Sequence, residues 1–429
     1  MKRRILALLA AGCLVTGLAG ATAVQAEESA VEAAETVSGA ESTDSEAEEE
    51  TVSKDIKVWV SEETKAFTEE KIKAFLEGND ALADYTVTVE AVNELDAPKK
   101  MRADVENGAD IYTFPQDELA TLVAAEALTP AGDTSGWVIE QNDEGAVNAA
   151  TIADTIYAYP MTADNGYFLY YDKSVILDTS TLEGILADCE GAGKTFYFEL
   201  TGGWYQTAFF FATGCDAVYG TDLNGKFTSA NFTYATDEGL EALKALIALS
   251  KSPAFRNGSS IKDAKDCAAI VDGTWDSAAA KEYFGDNYAC SMLPSFGVDG
   301  IDYQMSGFGG FKLLGIKPQT DPERLAAIRA IAQYLTGTDV QLARFLAVGW
   351  GPSNKAAQDS DEVQADPAIS ALTDQLSFSI PQTQYPTAFW DQCESLGELI
   401  LSGALNDSSD DDLRGVLQDF QDNCAAMAQ

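Results

Sequence analysis

Apolar and polar positions alternate along the chain in blocks that change period. Ile56-Lys57-Val58-Trp59-Val60 is a short β-branched run that predicts a strand. Residues 64–76 then place Phe67, Ile72, Phe75 and Leu76 on one side, as an amphipathic helix does. Tyr85-Thr86-Val87-Thr88-Val89 alternates as a second strand, a polar helix is predicted over 101–106, and Asp110-Ile111-Tyr112-Thr113-Phe114 follows as a third strand. Strand, helix, strand, helix, strand is the signature of a parallel sheet covered by helices. A second cycle starts at Tyr167-Phe168-Leu169-Tyr170-Tyr171. It runs through Lys194-Thr195-Phe196-Tyr197-Phe198, a helix-like aromatic run over 204–211, a helix over 240–250 and a strand at Ala268-Ala269-Ile270-Val271. The pattern predicts an α/β protein of two lobes, each a mostly parallel sheet flanked by helices. No internal repeat is evident. Ligands of open α/β sheets sit at the carboxyl ends of the strands. Those ends carry Ser61-Glu62-Glu63-Thr64-Lys65 and Pro115-Gln116-Asp117-Glu118.

The first residues follow a different logic. Lys2, Arg3 and Arg4 precede an apolar run from Ile5 to about residue 19, which reads as an export signal over residues 1–26. The run is short and broken by Gly12, Thr16 and Gly17, which disfavours a membrane span. Two processing outcomes fit. Val24-Gln25-Ala26 is a small-residue cleavage site that would release a secreted or periplasmic protein. Ala10-Ala11-Gly12-Cys13 resembles a bacterial lipobox that would lipidate Cys13 and hold the protein on the extracellular face of the membrane, and this outcome is preferred. Residues 27–54 are rich in Glu, Ala, Ser and Thr, without aromatics, and are expected to form a disordered acidic linker.

A length of 429 residues suits about two domains. The 69 acidic and 27 basic residues give a formal charge of −42, which argues against nucleic acid or an anionic membrane surface as a partner. There is no histidine, which excludes Ser-His-Asp triads, Cys-His dyads and His-based zinc or iron sites. Paired-carboxylate glycoside hydrolysis survives that filter. Apart from Cys13, Cys189, Cys215, Cys267, Cys290, Cys393 and Cys424 remain; disulfides among them and buried free thiols are both open.

Several segments, in order, resemble the maltose-binding family of ABC-importer solute receptors. They are Ile56-Lys57-Val58-Trp59; Ala109-Asp110-Ile111-Tyr112-Thr113-Phe114; Tyr157-Ala158-Tyr159-Pro160-Met161-Thr162-Ala163-Asp164 with Leu169-Tyr170-Tyr171-Asp172-Lys173; and Ala269-Ile270-Val271-Asp272-Gly273-Thr274-Trp275 with Leu293-Pro294-Ser295-Phe296. Further on come residues 327–336, Val348-Gly349-Trp350-Gly351-Pro352-Ser353-Asn354, and Ile380-Pro381-Gln382 with Ala388-Phe389-Trp390. The resemblance implies two discontinuous lobes, 55–162 plus 311–362 and 163–310 plus 363–429, closing over a ligand by a hinge. It also implies a monomeric, cofactor-free receptor, not an enzyme, that captures an oligosaccharide of the maltose type and passes it to a membrane permease.

Sugars present flat CH faces to aromatic rings and hydroxyls to carboxylates and amides. By the resemblance, Trp275 and Trp390 are stacking positions, and Trp204 and Tyr205 fall where the family carries adjacent aromatics. Phe114 stands where a tryptophan is common. Asp117 and Asp164 match acids that bond hydroxyls, Glu62, Glu63 and Lys65 occupy the first strand-to-helix loop, and Trp350 is expected near the cleft entrance. Glu118 in place of an arginine and Gly202 in place of an acid depart from the pattern and put maltose itself in doubt. Another carbohydrate or a polyol, a carboxylate-dependent glycoside hydrolase, and an adhesion scaffold are the competing readings.

Overall fold

The computed structural model describes residues 53–428. The export signal, Cys13 and residues 27–52 of the expected linker lie outside the described residues. None of the described helices is long and apolar enough to cross a membrane.

Two five-stranded sheets organise the body. In the first, Asp55–Val60 lies between Thr86–Ala91 and Ile111–Pro115 and is parallel to both. Lys312–Ile316 then pairs antiparallel with Ile111–Pro115 and with Ala158–Thr162. In the second, Thr195–Phe198 is parallel to Phe255–Asn257 and Cys267–Asp272. Phe168–Asp172 joins antiparallel to Cys267–Asp272, and Tyr288–Ser291 antiparallel to Phe168–Asp172. Each sheet is thus a parallel trio extended by two antiparallel strands. The chain passes between the sheets directly from Ala158–Thr162 to Phe168–Asp172, and returns through Phe308–Gly309, which pairs in parallel with Ile380–Pro381, into Lys312–Ile316.

The core follows these sheets. Ile111–Pro115 is central and buried on both faces, which explains its nearly unbroken apolar run. Its neighbours Val58, Met101, Leu313, Ile328 and Trp350 belong to the same cluster. The second cluster gathers Leu169, Phe196, Phe209, Leu246 and Phe389. The Phe209-Phe210-Phe211 run is packed inside it on the helix Gly203–Ala212, with Phe210 stacked on Tyr234 at 4.0 Å and Tyr234 on Phe420 at 5.3 Å. The predicted helix over 101–106 lies earlier, at Ala97–Ala103: Pro98 starts it, and Asp104 leaves it in an extended conformation to accept Asn107 N–H at 3.1 Å. All six described cysteines are free, five of them buried, and burial pushes the Cys189 thiol up to about 12.

Candidate functional site

The carboxyl end of the strand Cys267–Asp272 turns through Gly273 into a single 3-10 turn carrying Trp275. The indole folds back over that glycine so closely that a Cβ there would lie 2.1 Å from the ring, so a side chain at this position would have to displace the indole. Half-buried Trp275 meets Trp204 at 5.8 Å between ring centroids. Trp204 comes from the first turn of the helix Gly203–Ala212, braced edge-on by Tyr167 at 4.7 Å and by Tyr205 at 5.2 Å. The same helix packs on Thr387–Leu401, which carries Trp390; a Cβ at Gly203 would meet the Trp390 ring at 3.2 Å. Trp390 is half-buried against Phe308, Tyr385 and Phe389. Trp275 and Trp204 are therefore in ring contact, and Trp390 lies on the helix that packs against the first turn carrying Trp204.

Opposite polarity comes from the first sheet. Beyond Ile111–Pro115, the buried Asp117 carboxylate accepts from Gln382 Nε2 at 2.6 Å. Burial and the adjacent Glu118 carboxylate push Asp117 up to about 8, against a smaller lowering by the Trp390 indole. Gln382 is a junction: its Oε1 accepts from Trp204 Nε1 at 3.1 Å and from Asn165 Nδ2 at 3.2 Å, and its backbone carbonyl accepts from Gln116. Glu118 is occupied elsewhere. It pairs with Arg102, which also donates to Thr121 at 3.0 Å and to Thr387 at 3.1 Å, so the departure from an arginine here is absorbed by an ion pair joining the first sheet's side to the helix of Trp390.

Asp164 sits where the chain leaves the first sheet. It is 2% exposed and accepts from the Thr274 hydroxyl and the Gly351 N–H, while its Oδ1 finds no partner among the described residues. Nearby Arg344 is buried, which lowers it to about 10 against the opposing pull of Asp164.

The other sequence-predicted residues fall differently. Phe114 is wholly inside the first core, tilted against Tyr112 at 5.6 Å. Tyr205 is buried beneath Trp204. Glu62 and Glu63 are exposed in the first turn of the helix Glu62–Glu77, where acids suit the helix dipole, and Lys65 pairs along the same helix with Glu69 at 2.6 Å. Trp350 is not at an entrance: Gly349, at φ 82°, ends the preceding helix and turns the indole inward, leaving it 1% exposed.

Two charged residues escaped the sequence reading. Lys312 and Glu94 form a buried pair at 3.1 Å beside Trp350 and Trp275. Their only sequence signal is a lone lysine heading the apolar strand Lys312-Leu313-Leu314-Gly315-Ile316. A cavity of about 810 Å³ also touches the junction, sharing Gln116 and Gln382, and is lined further by Tyr219, Phe311 and Ile380 but by none of the three indoles.

Comparison with known proteins follows this geometry. Residues 70–371, well over half of the chain, match the family described as bacterial extracellular solute-binding protein. Comparison with curated proteins finds no match. Among solved structures, one determined with acarbose is 27% identical, with a TM-score of 0.77, covering 87% of this chain and 99% of that one. The maltodextrin binding protein MalE1 from L. casei BL23 is 22% identical, with a TM-score of 0.71 over 87% of this chain and 99% of that one. The Thermus thermophilus maltotriose binding protein bound with maltotriose is 18% identical, with a TM-score of 0.72 over 86% and 99%. These neighbours share the two-lobed fold, and over residues 70–371 the chain belongs to the bacterial extracellular solute-binding protein family.

Proposed function

We propose that this exported protein is the receptor subunit of an ABC importer, capturing a neutral oligosaccharide between two lobes and handing it to a membrane permease. The observation that carries the reading is a chain of contacts from aromatic to acidic groups: Trp204 meets the Trp275 ring and donates to Gln382, and Gln382 donates to Asp117, which lies beside the Trp390 indole. Indole faces take the CH faces of pyranose rings, and the Asp117 carboxyl group and the amides take their hydroxyls. The solved neighbours with acarbose and with maltotriose favour a malto-oligosaccharide as the ligand.

In this reading the lobes are 55–162 with 311–362 and 163–310 with 363–429, so that the segments around Asp164, Gly310 and residues 350–366 act as hinges. Ligand touching both lobes favours the closed state by its differential contacts. Trp275 and Trp390 stack on rings, Asp117 and Asp164 bind hydroxyls, and Cys13 carries the lipid anchor that leaves the acidic linker as a tether. The protein acts as a monomer. Glu62, Glu63 and Lys65 lie at the rim and contribute weakly.

The experiment is calorimetry and tryptophan fluorescence of the full chain titrated with gluco-, xylo-, manno- and galacto-oligosaccharides. Saturable binding to the malto series, weakened at least about thirtyfold in Trp275→Ala, is the expected result. A folded protein that binds no sugar of the panel overturns the oligosaccharide reading, and conversion of the sugar into shorter products overturns the receptor in favour of a hydrolase.

A further inference from the structure

Lys312 is an unusual residue for its place. It heads the strand that lies between Ile111–Pro115 and Ala158–Thr162 in the first sheet, its backbone N–H donates to Thr162 Oγ1 at 3.3 Å, and its side chain is only 5% exposed. Its ammonium lies 3.1 Å from Glu94 Oε1, whose side chain is 12% exposed. The same ammonium stands 3.8 Å from the centroid of the Trp350 ring and 4.8 Å from that of Trp275. Glu94 Oε2 and Trp350 Nε1 are buried and find no partner among the described residues.

Two indole faces and a carboxylate are the groups that hold an alkylammonium ion, through the ring quadrupole and through charge. Here that cage is filled from within the chain. An acidic protein of formal charge −42 draws cations towards its clefts, and an empty cage beside Trp275 would retain them. With Lys312 in place, its ammonium cancels the Glu94 charge and occupies the indole faces, so a ligand ammonium finds no free carboxylate or ring to offset its desolvation, whereas a neutral ring needs none.

We propose that Lys312 is a specificity-determining residue: it plugs a cation cage built from Trp275, Trp350 and Glu94, so that the cleft accepts neutral sugars and refuses cationic amino sugars. The sugar half of this inference rests on the oligosaccharide reading above; the plugged cage does not.

Two arms keep the readings apart, both on the full chain. In the first, tetramethylammonium chloride is titrated while indole fluorescence is followed, with sodium chloride at equal ionic strength as the control. Wild type gives no saturable change, Lys312→Ala gives one, and Lys312→Ala combined with Glu94→Gln weakens it at least about tenfold. Absence of a saturable signal in folded Lys312→Ala overturns the cage. In the second arm, wild type is titrated with a neutral gluco-oligosaccharide that it binds and with the same compound bearing one amino group in place of a hydroxyl. A preference of at least about tenfold for the neutral sugar is expected, narrowing in Lys312→Ala. Equal binding of the two by wild type overturns the proposal and needs no variant to fold. Failure of wild type to bind either sugar, with a positive first arm, supports the plugged cage and removes only the oligosaccharide reading.

Discussion

The two sheets equip their strand ends differently. In the first, the carboxyl ends of Asp55–Val60, Thr86–Ala91 and Ile111–Pro115 lead to Glu62 and Glu63, to Glu94, and to Asp117 and Glu118. In the second, the ends of Thr195–Phe198 and Cys267–Asp272 lead to Trp204 and Trp275. The second sheet's strand ends also carry Glu199, Asp272 and Asp276, so the same architectural position supplies carboxylates on both sides and indoles on the second alone. A pyranose needs both kinds of group, because its ring faces are apolar and its edges are hydroxylated. The binding energy is released in full only when both sides engage one ligand, which is the condition for a ligand to drive closure.

Asp164 ties the two halves together, and its loss is the largest expected effect. Its carboxylate takes hydrogen bonds from Thr274, beside Trp275, and from Gly351, beside Trp350. Asp164→Ala removes two charge-assisted bonds and leaves Arg344 buried without its nearest anion, so a destabilisation of about 3 kcal/mol is expected in urea unfolding. A variant as stable as wild type would show that the two sides are joined elsewhere.

The aromatic side is broken without touching an aromatic by Gly273→Ala. The added Cβ falls within the Trp275 ring, so the indole must swing away. Sugar affinity should fall about as far as in Trp275→Ala, by about 2 kcal/mol, with the circular dichroism spectrum unchanged. Retained affinity would remove Trp275 from the ligand.

The acidic side is sharpened by pH. Asp117 is held up at about 8 in the folded protein, mainly by burial, against an ordinary 3.8. Between about pH 4 and 8 the unfolded chain gives up a proton that the folded chain keeps. The folded state binds more protons, so this group makes stability fall as pH rises through that window and level off above 8. Asp117→Asn should flatten that part of the stability curve. An unchanged slope would assign it to other groups.

Legibility of the sequence divides along the same line. The strand–helix cycle was readable because Ile56–Val60 and Ile111–Phe114 are short apolar runs between polar helices, and Trp275 stood out because a Gly-Thr-Trp turn follows a buried strand. The antiparallel members were less readable: Ala158–Thr162 contains Pro160 and Lys312–Ile316 begins with a lysine, both of which weaken a strand pattern. Trp350 was misplaced because sequence cannot tell an indole at an entrance from one turned inward by Gly349. Lys312 and Glu94 lie far apart along the chain, and only the fold brings them together.

The smallest expected effect concerns the rim. Lys65 belongs to the first strand-to-helix loop by sequence, yet its ammonium is engaged by Glu69 one turn along an exposed helix face, and that hydrogen bond raises it from its ordinary value. An exposed pair of this kind spends its charge on its own helix and is screened by solvent. Glu62 and Glu63, one turn earlier, are exposed and stabilise the helix start in the same way. If the carboxylate side acts through its buried members only, Lys65→Ala should change sugar affinity by less than about twofold, measured by calorimetry beside Asp117→Ala. A loss as large as that of Asp117→Ala would mean that the helix turns Lys65 away from Glu69 when ligand arrives, and the division between an acidic and an aromatic half would have to admit a cation at the rim.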